Sequence, residues 1–268
     1  MSERDGYNHG VPCWVDTAQP DPETAVGFYR ELFGWEFEDT MPPGSPGRYF
    51  VARLGGADVA AVGSQPPEAP PTAMWNTYVC CDSADATVAA ALDAGGTALM
   101  EPFDVLDAGR MALIADPSGA TFCAWEAKEQ RGAQRVNETG AWAMSTLSTG
   151  DPDRAEAFYG AVFGWETESF GSGEDTLTLF RVPGYAGGEP EQPVSREVVA
   201  AMRSPGDGSA PTWSVDFWVG DVDRAAGKTE ELGGRVLAGP FATPVGRTAV
   251  LADPQGAAFS VSRVGPGA

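Results

Sequence analysis

The chain of 268 residues has little of the residue types on which several common functions depend. It has one histidine, His9, and its 17 basic residues face 38 acidic ones, which gives a formal net charge of −21. No apolar run approaches the roughly 20 residues that a membrane span needs, and the polar start is unlike a signal peptide. We therefore predict a cytoplasmic protein with a solvated acidic surface that binds neither nucleic acid nor membrane.

The sequence also lacks the cysteine patterns of metal sites and disulfide frameworks. Its four cysteines, Cys13, Cys80, Cys81 and Cys123, lie in apolar stretches of the first half without CxxC spacing. We expect buried, reduced thiols. There is no G-x-S-x-G nucleophile elbow and no glycine-rich phosphate loop between a strand and a helix. Nothing in the sequence therefore indicates nucleophilic catalysis or phosphate binding.

What the sequence does contain is an internal duplication. Residues 21–36 recur as residues 151–166, and both copies carry the pattern FYxxxFGW. A second shared pattern, DPxGAxF, begins at Asp116 and again at Asp253. A repeat of this length divides the chain into two similar units, so any site in one half has a sister position in the other.

We predict a first domain over residues 1–127, a polar linker over 128–140 and a second domain over 141–268. Each half contains two stretches with apolar residues at helical spacing, and each of these is preceded by one short strand and followed by three. Four βαβββ modules therefore fill the chain, and the fold class is α+β.

Paired βαβββ modules with these two motifs resemble the vicinal oxygen chelate superfamily, which includes glyoxalase I, the extradiol dioxygenases and the bleomycin-resistance proteins. Longer stretches, VPCWVD at 11–16, WNTY at 75–78 and VNETG at 136–140, are similar to a two-repeat actinobacterial group of that superfamily. That group includes a mycobacterial culture-filtrate antigen and accessory proteins of antibiotic biosynthesis. The resemblance implies a tandem glyoxalase-like fold, in which the four modules form two cup-shaped mixed sheets with helices outside.

Metal-dependent members of this superfamily hold a divalent ion in the cup with His, Gln or Glu ligands on the first and fourth strands of both modules. The resemblance places those positions at Trp14, Val59, Asn76 and Cys123 in the first half, and at Met144, Val198, Ser214 and Ser260 in the second. A catalytic metal needs two or more imidazole or carboxylate ligands around an open position. None of these eight residues has an imidazole or carboxylate group, so we expect neither a metal nor another cofactor.

Residues two apart on a strand share a face, so these positions identify the side chains that point into each cup. The candidate ligand-binding residues are Trp14, Asn76, Tyr78, Cys123 and Trp125 in the first cup, and Trp142, Met144, Ser214, Trp218 and Ser260 in the second. Aromatic walls with a few polar groups suit a flat, partly apolar molecule, although the same rings can also fill a core.

Asp16 and Asp216 are the candidates for acid–base chemistry, because a carboxyl group against indole rings has a raised pKa. The alternative role for each is a hydrogen-bonded aspartate at a strand end.

Two functions remain open from the sequence. The first is a metal-free protein that binds a planar aromatic or hydrophobic metabolite, for sequestration or delivery in antibiotic biosynthesis or resistance. The second is a cofactor-independent tailoring enzyme, a cyclase, isomerase or oxygenase, that acts on a polyketide-like substrate. A divergent glyoxalase-type metalloenzyme is disfavoured by the missing ligands. We expect a monomer or homodimer whose two halves have unequal functions, because the two cups differ at every compared position.

Overall fold

The computed structural model describes residues 2–66, 72–173, 176–187, 195–205, 209–243 and 246–264. Two eight-stranded mixed sheets and four helices form the α+β tandem that the sequence predicts. The four cysteines are buried, as predicted, and none of them is joined in a disulfide. Within the described ranges, no helix has the length and apolar character needed to cross a lipid bilayer.

The first half of the chain builds one of the two large sheets. Its elements are β1 (Ser2–Glu3), β2 (Pro12–Gln19), α1 (Pro22–Phe33), β3 (Glu36–Asp39), β4 (Tyr49–Leu54), β5 (Ala57–Ser64), β6 (Met74–Cys80), α2 (Ala84–Asp93), β7 (Thr97–Val105), β8 (Gly109–Ala115) and β9 (Thr121–Ala127). The strand order is β3-β4-β5-β2-β6-β9-β8-β7, so the two modules meet where β2 pairs with β6.

The second half repeats this arrangement. Its elements are β10 (Arg135–Val136), β11 (Trp142–Ser148), α3 (Pro152–Phe163), β12 (Glu166–Phe170), β13 (Leu177–Arg181), β14 (Val198–Arg203), β15 (Thr212–Trp218), α4 (Val222–Glu231), β16 (Arg235–Thr243), β17 (Gly246–Ala252) and β18 (Ala258–Val264). The sheet order is β12-β13-β14-β11-β15-β18-β17-β16. The short β10 lies inside the predicted linker segment and pairs with β1.

Local sequence explains where the first helix of each half begins and ends. The side chain of Asp21 caps α1 by accepting a hydrogen bond from the backbone N–H of Thr24 at 3.1 Å, and Pro22 occupies the first turn, where its missing N–H costs nothing. The helix ends at Gly34, whose φ of 74° is the left-handed conformation that glycine adopts most easily. The same cap, proline and terminal glycine recur in α3.

The repeated motifs connect one half of the chain to the other. The hydroxyl of Tyr29, from the first FYxxxFGW motif, donates to the carboxylate of Asp253, from the second DPxG turn, at 2.9 Å. The indole N–H of Trp75 donates to the Tyr29 hydroxyl at 3.0 Å, and the Gln19 amide donates to Asp253 at 2.7 Å. All four side chains are buried, so this network lies in the core between the halves.

The sister motifs form the reciprocal contact. Tyr159 donates to Asp116 at 3.0 Å and accepts from the indole N–H of Trp213 at 2.8 Å. α1 packs against α4, and α2 packs against α3, so each half buries a helix against the other. Each of the two hydrophobic clusters in the core therefore combines side chains from both halves.

The tryptophans of the FYxxxFGW motifs also reach across. Trp35 donates its indole N–H to the carbonyl of Gly140 at 2.7 Å, and Trp165 donates to the carbonyl of Gly10 at 2.6 Å. Both glycines have positive φ, and a Cβ atom at Gly10 would lie 3.0 Å from the carbonyl oxygen of Phe163. The segment before each first strand is thereby fixed against the opposite half.

We predict that Tyr29→Phe lowers the free energy of unfolding by about 1–3 kcal/mol, because Trp75 loses a buried acceptor and Asp253 loses a buried donor. The matched variant Tyr159→Phe should have an effect of similar size. Since both tyrosines lie between the halves, denaturant unfolding followed by far-UV circular dichroism and by tryptophan fluorescence should give one coincident transition. Separate transitions for the two halves would contradict a shared core.

Candidate functional site

A cavity of about 530 Å³ lies against the sheet of the first half, within the size range of small-molecule sites. Its aromatic walls are Trp14, Tyr49, Tyr78 and Trp125, with Met111 beside them. Its charged and amide-bearing lining residues are Arg53, Asp58, Asp107, Glu129 and Gln130. Three of the first-cup candidates, Trp14, Tyr78 and Trp125, therefore line one cavity.

Strand pairing brings these side chains together. Trp14 of β2 lies opposite Tyr78 of β6, and Tyr78 lies opposite Cys123 of β9. Trp125, two residues along β9, lies opposite Met111 of β8. Partners on neighbouring strands share a face of the sheet, so four strands contribute to a single surface.

Asp16 connects the walls of this cavity to one another. Its carboxylate, 6% exposed, accepts hydrogen bonds from the Tyr78 hydroxyl at 2.7 Å, the Asn76 amide at 2.8 Å and the Tyr49 hydroxyl at 3.1 Å. Burial raises the pKa of Asp16, and these three hydrogen bonds oppose the rise. Burial and the nearby Asp16 charge also raise the pKa of both tyrosines, so both remain donors.

The indole rings are fixed through their N–H groups. Trp14 donates to the Tyr49 hydroxyl at 3.0 Å, and Trp125 donates to the carbonyl of Gln130 at 2.9 Å. Gly109 lies so close to Trp125 that an added Cβ atom would stand 2.5 Å from the ring, so a larger residue there would displace the wall. Contacts within the protein therefore hold both rings in place.

Asn76 and Cys123, the other two first-cup candidates, are not among the lining residues. Asn76 turns its amide to Asp16, and Cys123 is almost fully buried. Burial, together with the Asp16 charge, raises the pKa of the Cys123 thiol far above its ordinary value. Cys123 is therefore a neutral thiol next to the walls.

Tyr49 is absent from the site residues predicted from the sequence. It contacts both Trp14 and Asp16, yet its strand reaches β2 only through β5 in the sheet order. A weak signal was present, because Tyr49, Val51 and Arg53 alternate along β4 and all three line the cavity.

The second half brings most of its candidates together in the same way. Met144 of β11 lies opposite Asp216 of β15, and Asp216 lies opposite Ser260 of β18. Ser214 and Trp218 stand two residues to either side of Asp216 on β15 and share its face. These five residues define the second cup.

Trp142 lies apart from this set. A β-bulge between Trp142 and Met144 places Trp142 opposite Phe217, whose ring packs 5.0 Å from that of Phe33 in the core between the halves. The extra residue of the bulge shifts the alternation of side chains, so Trp142 shares the face of Phe217 and not that of Met144.

The carboxylates of Asp16, which is buried, and Asp216, which is half-buried, occupy different positions in the two cups. Asp216 stands at the register position of Tyr78, and Thr146 stands at that of Asp16. Asp216 accepts a short hydrogen bond from Ser262, which opposes the effect of burial. Burial raises the pKa of Asp216 to about 7, so this carboxyl titrates near neutral pH.

Neither cup fits the divalent ion that the superfamily resemblance implies. An indole such as Trp14 has no lone pair to donate, the Cys123 thiol is protonated, and Asp16 is already engaged by three donors. In the second cup, Asp216 stands in a row with Met144 and Ser260. Within the part of the chain that the structure describes, no three His, Cys, Asp or Glu side chains are grouped to hold a metal ion.

Each half of the chain matches a known protein family. Residues 14–124 match the glyoxalase/bleomycin resistance protein/dioxygenase superfamily. Residues 143–262 match the glyoxalase-like domain family. One match therefore falls on each half of the duplication.

Two curated proteins are similar along nearly their whole length. "Putative glyoxylase CFP32" of Mycobacterium tuberculosis is 42% identical, with 99% of each chain covered. The anthracycline biosynthesis protein DauV of a Streptomyces species is 35% identical over 94% of this chain and 92% of its own.

Solved structures share the fold at much lower identity. The Mn(II)-bound glyoxalase of Novosphingobium aromaticivorans has a TM-score of 0.61 at 15% identity, covering 95% of this chain and 82% of its own. An extradiol ring-cleaving dioxygenase from B. fuscum has a TM-score of 0.63 at 13% identity, covering 96% and 72%. Because a relative matches the chain along nearly its whole length and a family matches each half, the chain belongs to the glyoxalase/bleomycin resistance protein/dioxygenase superfamily.

Proposed function

We propose that the first cup binds a planar aromatic or hydrophobic small molecule without a metal, and that the protein sequesters or delivers this molecule in natural-product biosynthesis or resistance. The observation that carries the proposal is the cavity whose walls are Trp14, Tyr78 and Trp125. Rings held in place by their polar ends offer stacking and apolar burial at a small entropic cost. The relatives named as anthracycline biosynthesis proteins favour a natural product as the ligand.

A second candidate function rests on Asp16. A buried carboxyl with a raised pKa, bonded to a tyrosine that lines the cavity, can take up and return a proton. The alternative is therefore a cofactor-independent tailoring enzyme, a cyclase, isomerase or oxygenase, for a polyketide-like substrate. Recovery of the bound molecule unchanged after prolonged incubation supports the binding function, and conversion that is lost in Asp16→Asn supports the enzyme.

We expect Trp14→Ala to weaken the binding of hydroxymethylanthracene, a neutral planar probe, by about 1–3 kcal/mol, the range for losing an aromatic contact and its buried area. The probe's fluorescence, titrated with protein, measures this affinity. Met144→Ala is the matched control, because Met144 holds the sister position in the second cup, and it should change the affinity by less than about 0.5 kcal/mol.

Trp14 is only 3% exposed, so Trp14→Ala also lowers stability, and Trp14→Phe provides a variant that keeps a ring in the wall. Affinities are compared on the folded fraction of each variant, determined by thermal unfolding. A stability loss of about 3–5 kcal/mol with unchanged affinity in the folded protein would assign Trp14 to the core and contradict the proposal.

The raised pKa of Asp216 predicts a pH-dependent difference between the wild-type protein and Asp216→Asn. The folded state holds the Asp216 proton more tightly than the unfolded state, so this stabilisation is complete below about pH 4 and is lost as pH rises through about 7. Between pH 4 and pH 8, the free energy of unfolding of Asp216→Asn should therefore rise relative to that of the wild type by on the order of 2–4 kcal/mol. Urea unfolding at both pH values, with the exposed Asp153→Asn as control, measures it. An equal difference at both pH values would contradict the shift.

A further inference from the structure

The lining of the first-half cavity carries an excess of negative charge. Asp58, Asp107 and Glu129 line it, and Arg53 is the one basic side chain among the described lining residues. The cavity thus combines aromatic walls with carboxylates at its opening. The charged end of a ligand would meet these carboxylates.

Arg53 does not balance this charge, because it is already engaged. Its Nε atom lies 2.8 Å from Asp58, and its Nη1 atom lies 2.5 Å from Glu38. Two carboxylates thus hold one guanidinium. Asp107 and Glu129 have no ion pair within the described ranges.

The two unpaired carboxylates belong to neighbouring segments. The backbone N–H of Glu129 donates to the carbonyl of Asp107 at 3.3 Å, so the turn between β7 and β8 is joined to the segment after β9. The cations nearby in sequence do not neutralise them. Lys128 pairs with Asp104 at 2.8 Å, and Arg131 is not a lining residue. Asp107 and Glu129 line the cavity and are also exposed to solvent, so we place them at its mouth.

An apolar residue stands beside this charge. Leu106 lines the cavity, is 62% exposed, and has a φ of 48°, a left-handed conformation that leucine adopts only under strain. Strained residues of this kind are concentrated at functional sites. The turn therefore presents an apolar contact from Leu106 and a negative charge from Asp107 side by side.

We propose that the ligand of the first cup is a planar aromatic molecule with a basic amine at the end that faces the mouth. Asp107 and Glu129 determine this specificity by attracting the ammonium group, while Trp14, Tyr78 and Trp125 contact the rings. This inference rests on the proposed binding function and adds the charge of the ligand to it.

Three anthracene probes of nearly equal size test the charge preference. Aminomethylanthracene is a cation at neutral pH, hydroxymethylanthracene is neutral, and anthracene carboxylate is an anion. We expect the cation to bind about three- to tenfold more tightly than the neutral probe, and the anion to bind most weakly. The preference should shrink at high ionic strength, where the Debye length falls from about 10 Å to about 3 Å.

The double variant Asp107→Asn with Glu129→Gln identifies the residues responsible. In this variant the cationic and neutral probes should bind alike. The matched control is Asp93→Asn with Glu101→Gln, which removes the same two charges from exposed positions outside the cavity. The control should keep the wild-type preference for the cation. An effect of net charge alone would reduce the preference equally in both double variants and would contradict the assignment.

The results of the probe titrations distinguish the charge preference from the binding function on which it rests. Equal affinity of the wild-type protein for the cationic and neutral probes, or tighter binding of the anion, would overturn the charge preference and leave the aromatic site standing. Absence of binding by all three probes would overturn both.

Discussion

The hydrogen bond that Tyr29 donates to Asp253, with its twin from Tyr159 to Asp116, is the contact on which the arrangement of this chain depends. One oxygen of Asp253 shapes its own turn by accepting backbone N–H groups, and the other receives the tyrosine of the opposite half. The DPxG turn is a local motif in the sequence, yet its aspartate also joins the two halves of the chain. Since each half supplies both partners, the duplicated chain closes on itself through two reciprocal contacts.

This use of one sheet face leaves the other face free for a ligand. Along β6, Trp75 packs against Phe217 of the opposite half and Thr77 is hydrogen-bonded to Ser145 there. Asn76 and Tyr78 face the cup and are hydrogen-bonded to Asp16. Contact with the opposite half constrains Trp75 and Thr77 but does not constrain Asn76 and Tyr78. At the position where the superfamily resemblance places the first metal ligand, the first cup has Trp14, which lines the cavity. Asp16 holds Tyr49, Asn76 and Tyr78 in place through three hydrogen bonds. The second cup has its carboxyl, Asp216, at a different position, so the two sites are not copies.

The sequence alone predicts much of the fold, because its signals are local. The cap at Asp21, the terminal Gly34 and the alternation along β6 define elements without reference to the rest of the chain. Contacts between distant segments could not be predicted from the sequence. Nothing in the spacing of Tyr29 indicates Asp253 as its partner. Tyr49 lies next to Asp16 only because of the order in which β4, β5 and β2 pair in the sheet. The bulge that removes Trp142 from the second cup is equally invisible, because one extra residue reverses the alternation.

Titration calorimetry tests most directly whether the aromatic cavity in the first half binds a planar molecule without a metal, as we propose. Chelator-treated protein is titrated with hydroxymethylanthracene in metal-free buffer, and again after addition of manganese or zinc. The account predicts one binding event per chain with the same affinity in both experiments. Binding that requires the added metal, or two equivalent sites per chain, would contradict it.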